Sequence, residues 1–412
     1  MTFSPFDLNF RHLRGLVAVK EHGSVSAAAG AVSLSQPALT QGLAKLERQF
    51  GVALFERRAN GMTTTPAGDL VADRVRAALG HLATNAKGIS RGSDHLERRM
   101  TMTQLRAFLA LADEGSCVSA ARASDLSKTA VHRAIGELEH VIGRKLVKRH
   151  GRGLWLNAIG KRLARNSRLA IAEIGALAAD LGLDRGESLV SIGALPLSRA
   201  FLVPGAMAAM VAEQTKARFE IIEGDRHELI EPLRDGIIDI VLGALPAHTD
   251  EEDLVQIPLY TERLVIVAGS QHPLVGKPTP SISALMNYPW IVAPPSSPLR
   301  SHWEQLFGAR ELPPRPIECG SVMIIGRLLT SGNFLTLLSQ DQVALQIRSG
   351  LLARVGKPLA NQACTIGMTT RRGWKPTAVQ RRFIELLDAV AATKRTSETG
   401  GSTRLNLDLC WN

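Results

Sequence analysis

The chain has 412 residues, too many for one ordinary core, so two to four domains are expected. Its formal net charge is +11, and the excess is uneven: residues 1–186 carry 27 Lys+Arg against 16 Asp+Glu, and the remainder 22 against 22. A basic first part joined to a neutral second part implies a polyanion partner for one and a different task for the other. No apolar run reaches the roughly 18 residues of a membrane span. GIIDIVLGALPA at 236–247 is short and carries Asp239, which suits a buried strand. The opening MTFSPFDLNFRHLRG lacks the basic-then-apolar layout of a secretory signal, so a cytoplasmic protein with no membrane partner is expected. Cys117, Cys319, Cys364 and Cys410 form no CxxC pair and have no His at zinc-ligand spacing, so reduced thiols, no metal and no cofactor are expected.

In chain order, LRGLVAVKEHG makes an amphipathic helix ended by Gly23. Ser24 can cap a short helix, VSAAAGAV, whose small residues let a neighbour pack closely. Ser35 caps the next helix, with Gln36 and Pro37 in its first turn, where proline is tolerated. Leu39, Leu43, Leu46 and Phe50 form one buried stripe along it, which points Gln36, Thr40, Gln41 and Lys45 outward. LFERRANGMTTTPAG then predicts a two-stranded wing with Arg57 and Arg58 at its root, and AGDLVADRVRAALGHLATNA a long helix over 67–86. A helix of this kind fits the major groove, with amides and hydroxyls meeting base edges and arginines gripping phosphates.

The same unit recurs. With an offset of 92 and no gap, residues 10–68 align on 102–160, matching Gly23/Gly115, Leu34-Ser35/Leu126-Ser127, Leu46-Glu47/Leu138-Glu139, Gly51/Gly143 and Gly68/Gly160. The second unit keeps its buried stripe as Val131, Ile135, Leu138 and Ile142, so it should fold. Its outer face is changed to Lys128, Thr129, His132 and Arg133, with Arg144, Lys145, Lys148, Arg149 and Arg152 toward the wing. Cations can read guanine or simply hold phosphate, so the unit is either a DNA contact or a packing module. IGKRLARNSRLAIAEIGALAADLGL at 159–183 supplies a second long helix.

The segment HLRGLVAVKEHGSVSAAAGAVSLSQPALTQGLAKLERQFGVALFERRANGMTTTPAG closely resembles the winged helix-turn-helix of LysR-type transcriptional regulators. The resemblance implies base-reading positions at Gln36, Pro37, Thr40 and Gln41, and wing or backbone contacts near Arg57, Arg58 and Thr65. It also implies that the long helix is a linker pairing two subunits, so a homodimer or homotetramer on double-stranded DNA is expected. In the second unit, DNA contact would fall to Lys128, Thr129, His132, Arg133 and Arg149.

From Leu189 the pattern changes to LVSIGAL, SRAFLVPGAMAAMVAE, ARFEIIEG, HELIEPLRDG and IDIVLGAL, alternating strands and helices that argue for a parallel sheet of βαβ units. RLVIVAG, PWIVAPP, PIECG and FLTLLS follow as strands, MIIGRLLTSG and residues 377–392 as helices, and 393–412 as a disordered tail. This half resembles the family's effector-binding domain, two α/β subdomains around a cleft as in periplasmic solute-binding proteins. PWIVAPPSSPLR through VALQIRSGLLARV is similar to the branch containing galactose-binding-protein regulators. The resemblance implies a ligand at strand ends and helix N-termini, where backbone N–H groups suit a carboxylate or sugar-like effector. Candidates by position are Ser198, Arg199, Ser296, Ser297, Arg300, Ser321 and Val322. The expected layout is therefore winged helix-turn-helix 8–66, linker 67–98, winged helix-turn-helix 101–158, linker 159–184, effector domain 187–392 and tail 393–412. No GxSxG elbow, P-loop, GxGxxG after a strand or HExxH is present, which argues against an enzyme. The alternative is an architectural DNA-binding protein whose second unit and C-terminal half only oligomerise.

Overall fold

The computed structural model describes residues 3–58, 61–89, 99–150, 153–183, 188–213, 217–308, 310–359 and 362–399. The chain divides near residue 188 into two compact units. In the first, α1 (Phe10–His22), α2 (Val25–Ala31) and α3 (Gln36–Phe50) lead to a wing, β1 (Phe55–Arg58) and β2 (Gly61–Thr64), and then to α4 (Pro66–Ile89). The order repeats as α5 (Met102–Glu114), α6 (Cys117–Ala123), α7 (Lys128–Ile142), β3 (Val147–His150), β4 (Gly153–Leu156) and α8 (Ala158–Asp180).

The residues shared at the 92-residue offset are mostly backbone fixtures. Gly23 and Gly115 end α1 and α5 in the left-handed region, φ 64° and 65°, which favours glycine. Their carbonyls accept from the Met62 and Leu154 amides at 3.1 and 3.0 Å, tying each wing to a helix end. Glu47 accepts from the Leu54 amide, and Glu139 from the Leu146 amide, both at 2.9 Å, so the repeated Leu-Glu pair buries a leucine and anchors the wing's first strand. At Gly68 and Gly160 the following helix passes so close to the Leu54 and Leu146 carbonyls that no side chain fits.

The two long helices pack against one another within this one chain. Val71, Val75, Ala78 and Leu82 of α4 share a buried cluster with Leu163, Ala170, Ile174 and Leu177 of α8. Arg74 bridges the pair, reaching Glu173 and Asp180 at 2.8 Å each. A linker helix expected to find its partner in a second subunit finds it here in the same chain.

The second unit contains β5 (Leu189–Ala194), α9 (Leu202–Ala212), β6 (Arg218–Glu223), α10 (Arg226–Arg234), β7 (Ile240–Ala244) and β8 (Leu254–Gly269). It continues through α11 (Ile282–Leu285), β9 (Trp290–Val292), α12 (Pro298–Phe307), β10 (Ile317–Glu318), α13 (Val322–Ser331) and β11 (Leu335–Ser339). It closes with α14 (Ala344–Arg348), β12 (Leu352–Arg354), β13 (Ala363–Arg371) and α15 (Ala378–Thr399). Among the described residues the strands run β10-β9-β11-β8-β13-β7-β5-β6, with β12 on β8.

Three expectations are corrected. The sheet is mixed: β5 pairs β6 and β7 in parallel, and β9 pairs β10 and β11 in parallel, but β8 and β13 run antiparallel through the middle. The strand expected at RLVIVAG is the end of a 16-residue strand, hidden in sequence by Pro258, which sits at a register shift opposite Gly367. The tail expected from 393 is helical through Thr399, because Arg395 donates to the Leu259 carbonyl at 2.6 Å and Lys394 pairs with Asp341 and lies over the Phe201 ring. Residues 400–412, with Cys410, and residues 90–98 of the first linker lie outside the described residues.

Candidate functional site

The α3 helix buries Leu39, Leu43, Leu46 and Phe50 and exposes Gln36, Pro37, Thr40 and Gln41, as its spacing predicts. Ser35 caps it, accepting from the Ala38 amide at 3.3 Å. Thr40 donates to the Gln36 carbonyl at 3.0 Å, which steadies its hydroxyl and leaves both lone pairs for an incoming donor. Beneath this face His12 lies against Gly42, and burial, then the charge of Lys45, pushes its pKa down. Arg57 and Arg58 stand on β1 opposite Met62 and Gly61, and their side chains lie outside the described part of the structure. Thr65 is not a surface contact. It is buried, donates to the Ala53 carbonyl at 2.8 Å and accepts from the Gly68 amide at 3.0 Å, capping α4. Asn157 does the same for α8 through Lys145 and Gly160.

The α7 helix keeps the inner face and exposes Lys128, Thr129, His132 and Arg133. A groove of about 680 Å³ between α7, the start of α6 and the second wing brings Lys128 and His132 together with Lys145 and Arg149. Lys145 is exposed but held at 2.6 Å by the buried Glu139, and Arg133 pairs loosely with Glu137 at 3.5 Å on the surface. Trp155, passed over in sequence, is 65% exposed on β4 directly across from Lys148. A large apolar ring across from a cation on an exposed wing strand is a contact surface that alternation along GLWL could have flagged.

In the second unit a cavity of about 450 Å³ opens where strand ends meet helix starts. Ser296, Ser297 and Val322 line it, together with Leu195, Pro196, Asp225, Arg226, Cys319 and Gln342. Ser297 also caps α12, accepting from the Leu299 amide at 3.3 Å, and Ser321 caps α13 without lining the cavity. Three candidates lie elsewhere. Ser198 is fully buried, and its one hydroxyl proton is shared between the Leu195 and Leu242 carbonyls, 2.9 and 2.8 Å away. Arg199 clamps the Ala194 and Gly224 carbonyls and pairs with Glu223 at 3.1 Å. Arg300 is held by Glu304 and Glu318 at 2.8 and 2.7 Å and stacks over Trp303. The cationic residue that does line the cavity is Arg226, at the start of α10. One guanidinium nitrogen pairs with Glu251, and Nη1 is buried with no protein partner. Arg199 and Arg300 are the arginines expected from sequence at the cleft, and not Arg226, although GDRHE also follows a strand and opens a helix. Among the described residues no group of His, Cys, Asp or Glu is placed to hold a metal ion, and no helix is long and apolar enough to cross a membrane.

Exposed helix-turn-helix faces joined to an α/β ligand cleft define a ligand-binding transcription regulator. Residues 184–392 match the family described as LysR substrate binding domain, and residues 10–69 and 102–161 each match the lysR-family bacterial regulatory helix-turn-helix protein. The chain belongs to the LysR family of DNA-binding transcription regulators and not to a family of enzymes. It is 31% identical over 369 residues to the HTH-type transcriptional regulator GalR of Pseudomonas putida, covering 89% of this chain and 93% of that one. It is 28% identical over 250 residues to the regulator GbpR of Azospirillum brasilense, covering 60% and 73%. Full-length OxyR from Pseudomonas aeruginosa shares the fold at a TM-score of 0.56, with 20% identity over 71% of this chain and 94% of that one. ArgP from Mycobacterium tuberculosis does so at 0.57, with 16% identity over 70% and 96%.

Proposed function

We propose that the first helix-turn-helix reads base edges through Gln36, Pro37, Thr40 and Gln41, with Arg57 and Arg58 on phosphates, while the second anchors the DNA backbone through Lys128, Thr129, His132, Arg133 and Arg149. The observation that carries this is the contrast between two helices with the same buried stripe: α3 exposes amides and a hydroxyl, and α7 exposes Lys128 and Arg133, with Lys128 lining a groove shared with Lys145 and Arg149. The two units arose by tandem duplication, and the wing and caps they share were retained as scaffold. A DNA target puts the protein's work in the cytoplasm. Footprints of the wild type beside Gln36→Ala and Lys128→Ala/Arg133→Ala test the division of labour. Gln36→Ala should relax specificity at one or two bases by about 1–3 kcal/mol. The double variant should lower the salt slope by roughly one to two phosphates without altering base preference. A double variant with an unchanged footprint and slope removes the second unit from the DNA.

The effector is a small carboxylate. Arg226 lines the same cavity as Ser296 and Ser297 and has one buried guanidinium nitrogen without a protein partner, a charge and donor set that favours an anion over a neutral sugar. Thermal shifts with matched panels of small carboxylates and sugars decide between them, and a sugar that binds regardless of Arg226 would overturn this reading. Ligand binding acts on DNA by favouring one arrangement of a homo-oligomer over another.

A further inference from the structure

We infer that one chain builds a complete two-headed DNA grip by pairing α4 with its own α8, and that its operator therefore has two unlike arms. The inference rests on the reading of both helix-turn-helix units as DNA contacts. Three observations carry it. The α4 and α8 helices bury a common core in which Val75 and Leu82 meet Ile174 and Leu177, and the N-terminal turn at Pro5–Asp7 packs on α5 and α8, bracing one head against the other. Both heads are thus mounted on one helix pair within one compact unit.

The second observation is that the charges inside the pair specify which helices meet. Arg74 and Glu173 are only 8% and 9% exposed, and Asp180 completes the bridge. Burial opposes the charge on Arg74, but Glu173 and Asp180 outweigh it. At the 92-residue offset Asn166 takes the place of Arg74, while His81 and Gly88 take those of Glu173 and Asp180. Two α4 helices from separate chains, packed the same way, would set Arg74 against no carboxylate. Two α8 helices would leave Glu173 and Asp180 facing Asn166. A buried charge without its partner is strongly destabilising, so α4 with α8 is the pairing the sequence selects. The connection from Ile89 to Met102 makes that partner local and raises its effective concentration far above that of a second chain.

The third observation is that the two exposed faces differ, amides on α3 and cations on α7. Operator symmetry mirrors protein symmetry, so a grip with unlike heads fits a non-palindromic site.

A charge exchange in the full-length protein tests the pairing. Arg74→Glu alone, and Glu173→Arg/Asp180→Arg alone, should each lower amide-exchange protection of α4 and α8 about a hundredfold or more and shorten the footprint to one arm. All three changes in one chain should restore both readouts. Co-expressing the two half-variants as separate tagged chains should restore neither, because each chain carries a mismatched pair. Rescue by co-expression would show that α4 pairs with α8 of another chain and would overturn the inference. So would single variants with wild-type protection, failure of the three changes in one chain to rescue, or a wild-type footprint in which the two arms bound by one chain are the same sequence. Protected helices in a wild type that leaves no footprint would refute the DNA reading, and with it the unlike operator arms, while supporting the intrachain pair.

Discussion

Gly68→Ala is the sharpest test of how the wing is joined to the long helix. A Cβ at this position would sit 2.9 Å from the Leu54 carbonyl carbon and closer still to its oxygen, where real Cβ contacts essentially do not occur. The obstacle is backbone, so relief requires the start of α4 to move away from the wing. That movement pulls on the Thr65 cap, whose hydroxyl joins Ala53 and Gly68 and whose amide donates to the Leu54 carbonyl at 3.0 Å. Overpacking costs about 1–3 kcal/mol and a weakened cap about 1 more, so a loss of about 2–4 kcal/mol is expected. Gly80→Ala, in the same helix with nothing within 4 Å, should gain about 0.5–1 kcal/mol. A chain with two compact units does not unfold in one step, so the assay is amide exchange along α4 rather than a single melting temperature. Equal or greater protection in Gly68→Ala than in Gly80→Ala would refute the reasoning.

Arg226→Ala should abolish the carboxylate-induced thermal shift and leave sugar responses unchanged; an intact shift places the ligand elsewhere. Glu262 is 4% exposed, and burial, then Asp341, pushes its pKa from 4.5 up to about 7 against the pull of Lys394. The folded state therefore holds a proton that the unfolded chain releases. This contribution to the stability of the C-terminal unit is full below about pH 4.5 and lost by about pH 7, up to about 3 kcal/mol in all. Denaturant midpoints measured from pH 4.5 to 8 should fall less steeply in Glu262→Gln than in the wild type, and parallel slopes would contradict the assignment. Trp155→Ala should weaken DNA binding with no loss of protection in β3 and β4, and unchanged affinity would leave the exposed ring without a role on DNA.

The helix-turn-helix units were legible because their signals are local. Ser35 and Ser127 cap three residues away, Gly23 and Gly115 end helices at positive φ, and the stripe from Leu39 to Phe50 recurs within one helix. The cleft was half legible: Ser296, Ser297 and Val322, expected from topology, line the cavity, but the expected arginines, Arg199 and Arg300, do not, whereas Arg226 does. Which arginine faces inward depends on Glu223, Glu304, Glu318 and Glu251, and no spacing rule names those partners. The antiparallel β8 and β13 escaped for a related reason, since Pro258 interrupts one and the mixed Thr and Gly of ACTIGMTTR blurs the other.

By itself, then, the sequence determined that there are two helix-turn-helix units and a substrate-binding domain, and that the second unit carries cations where the first carries amides. That Thr65 and Asn157 cap the two long helices was visible only in the structure, where each also donates to a carbonyl before the wing; in sequence Thr65 is expected as a backbone contact. Tertiary structure alone decided that α4 packs on α8 of the same chain. Arg74 and Glu173 lie 99 residues apart, and a contact at that separation is set by which faces remain unburied after each unit has folded, a property of the assembled surfaces and of no local pattern.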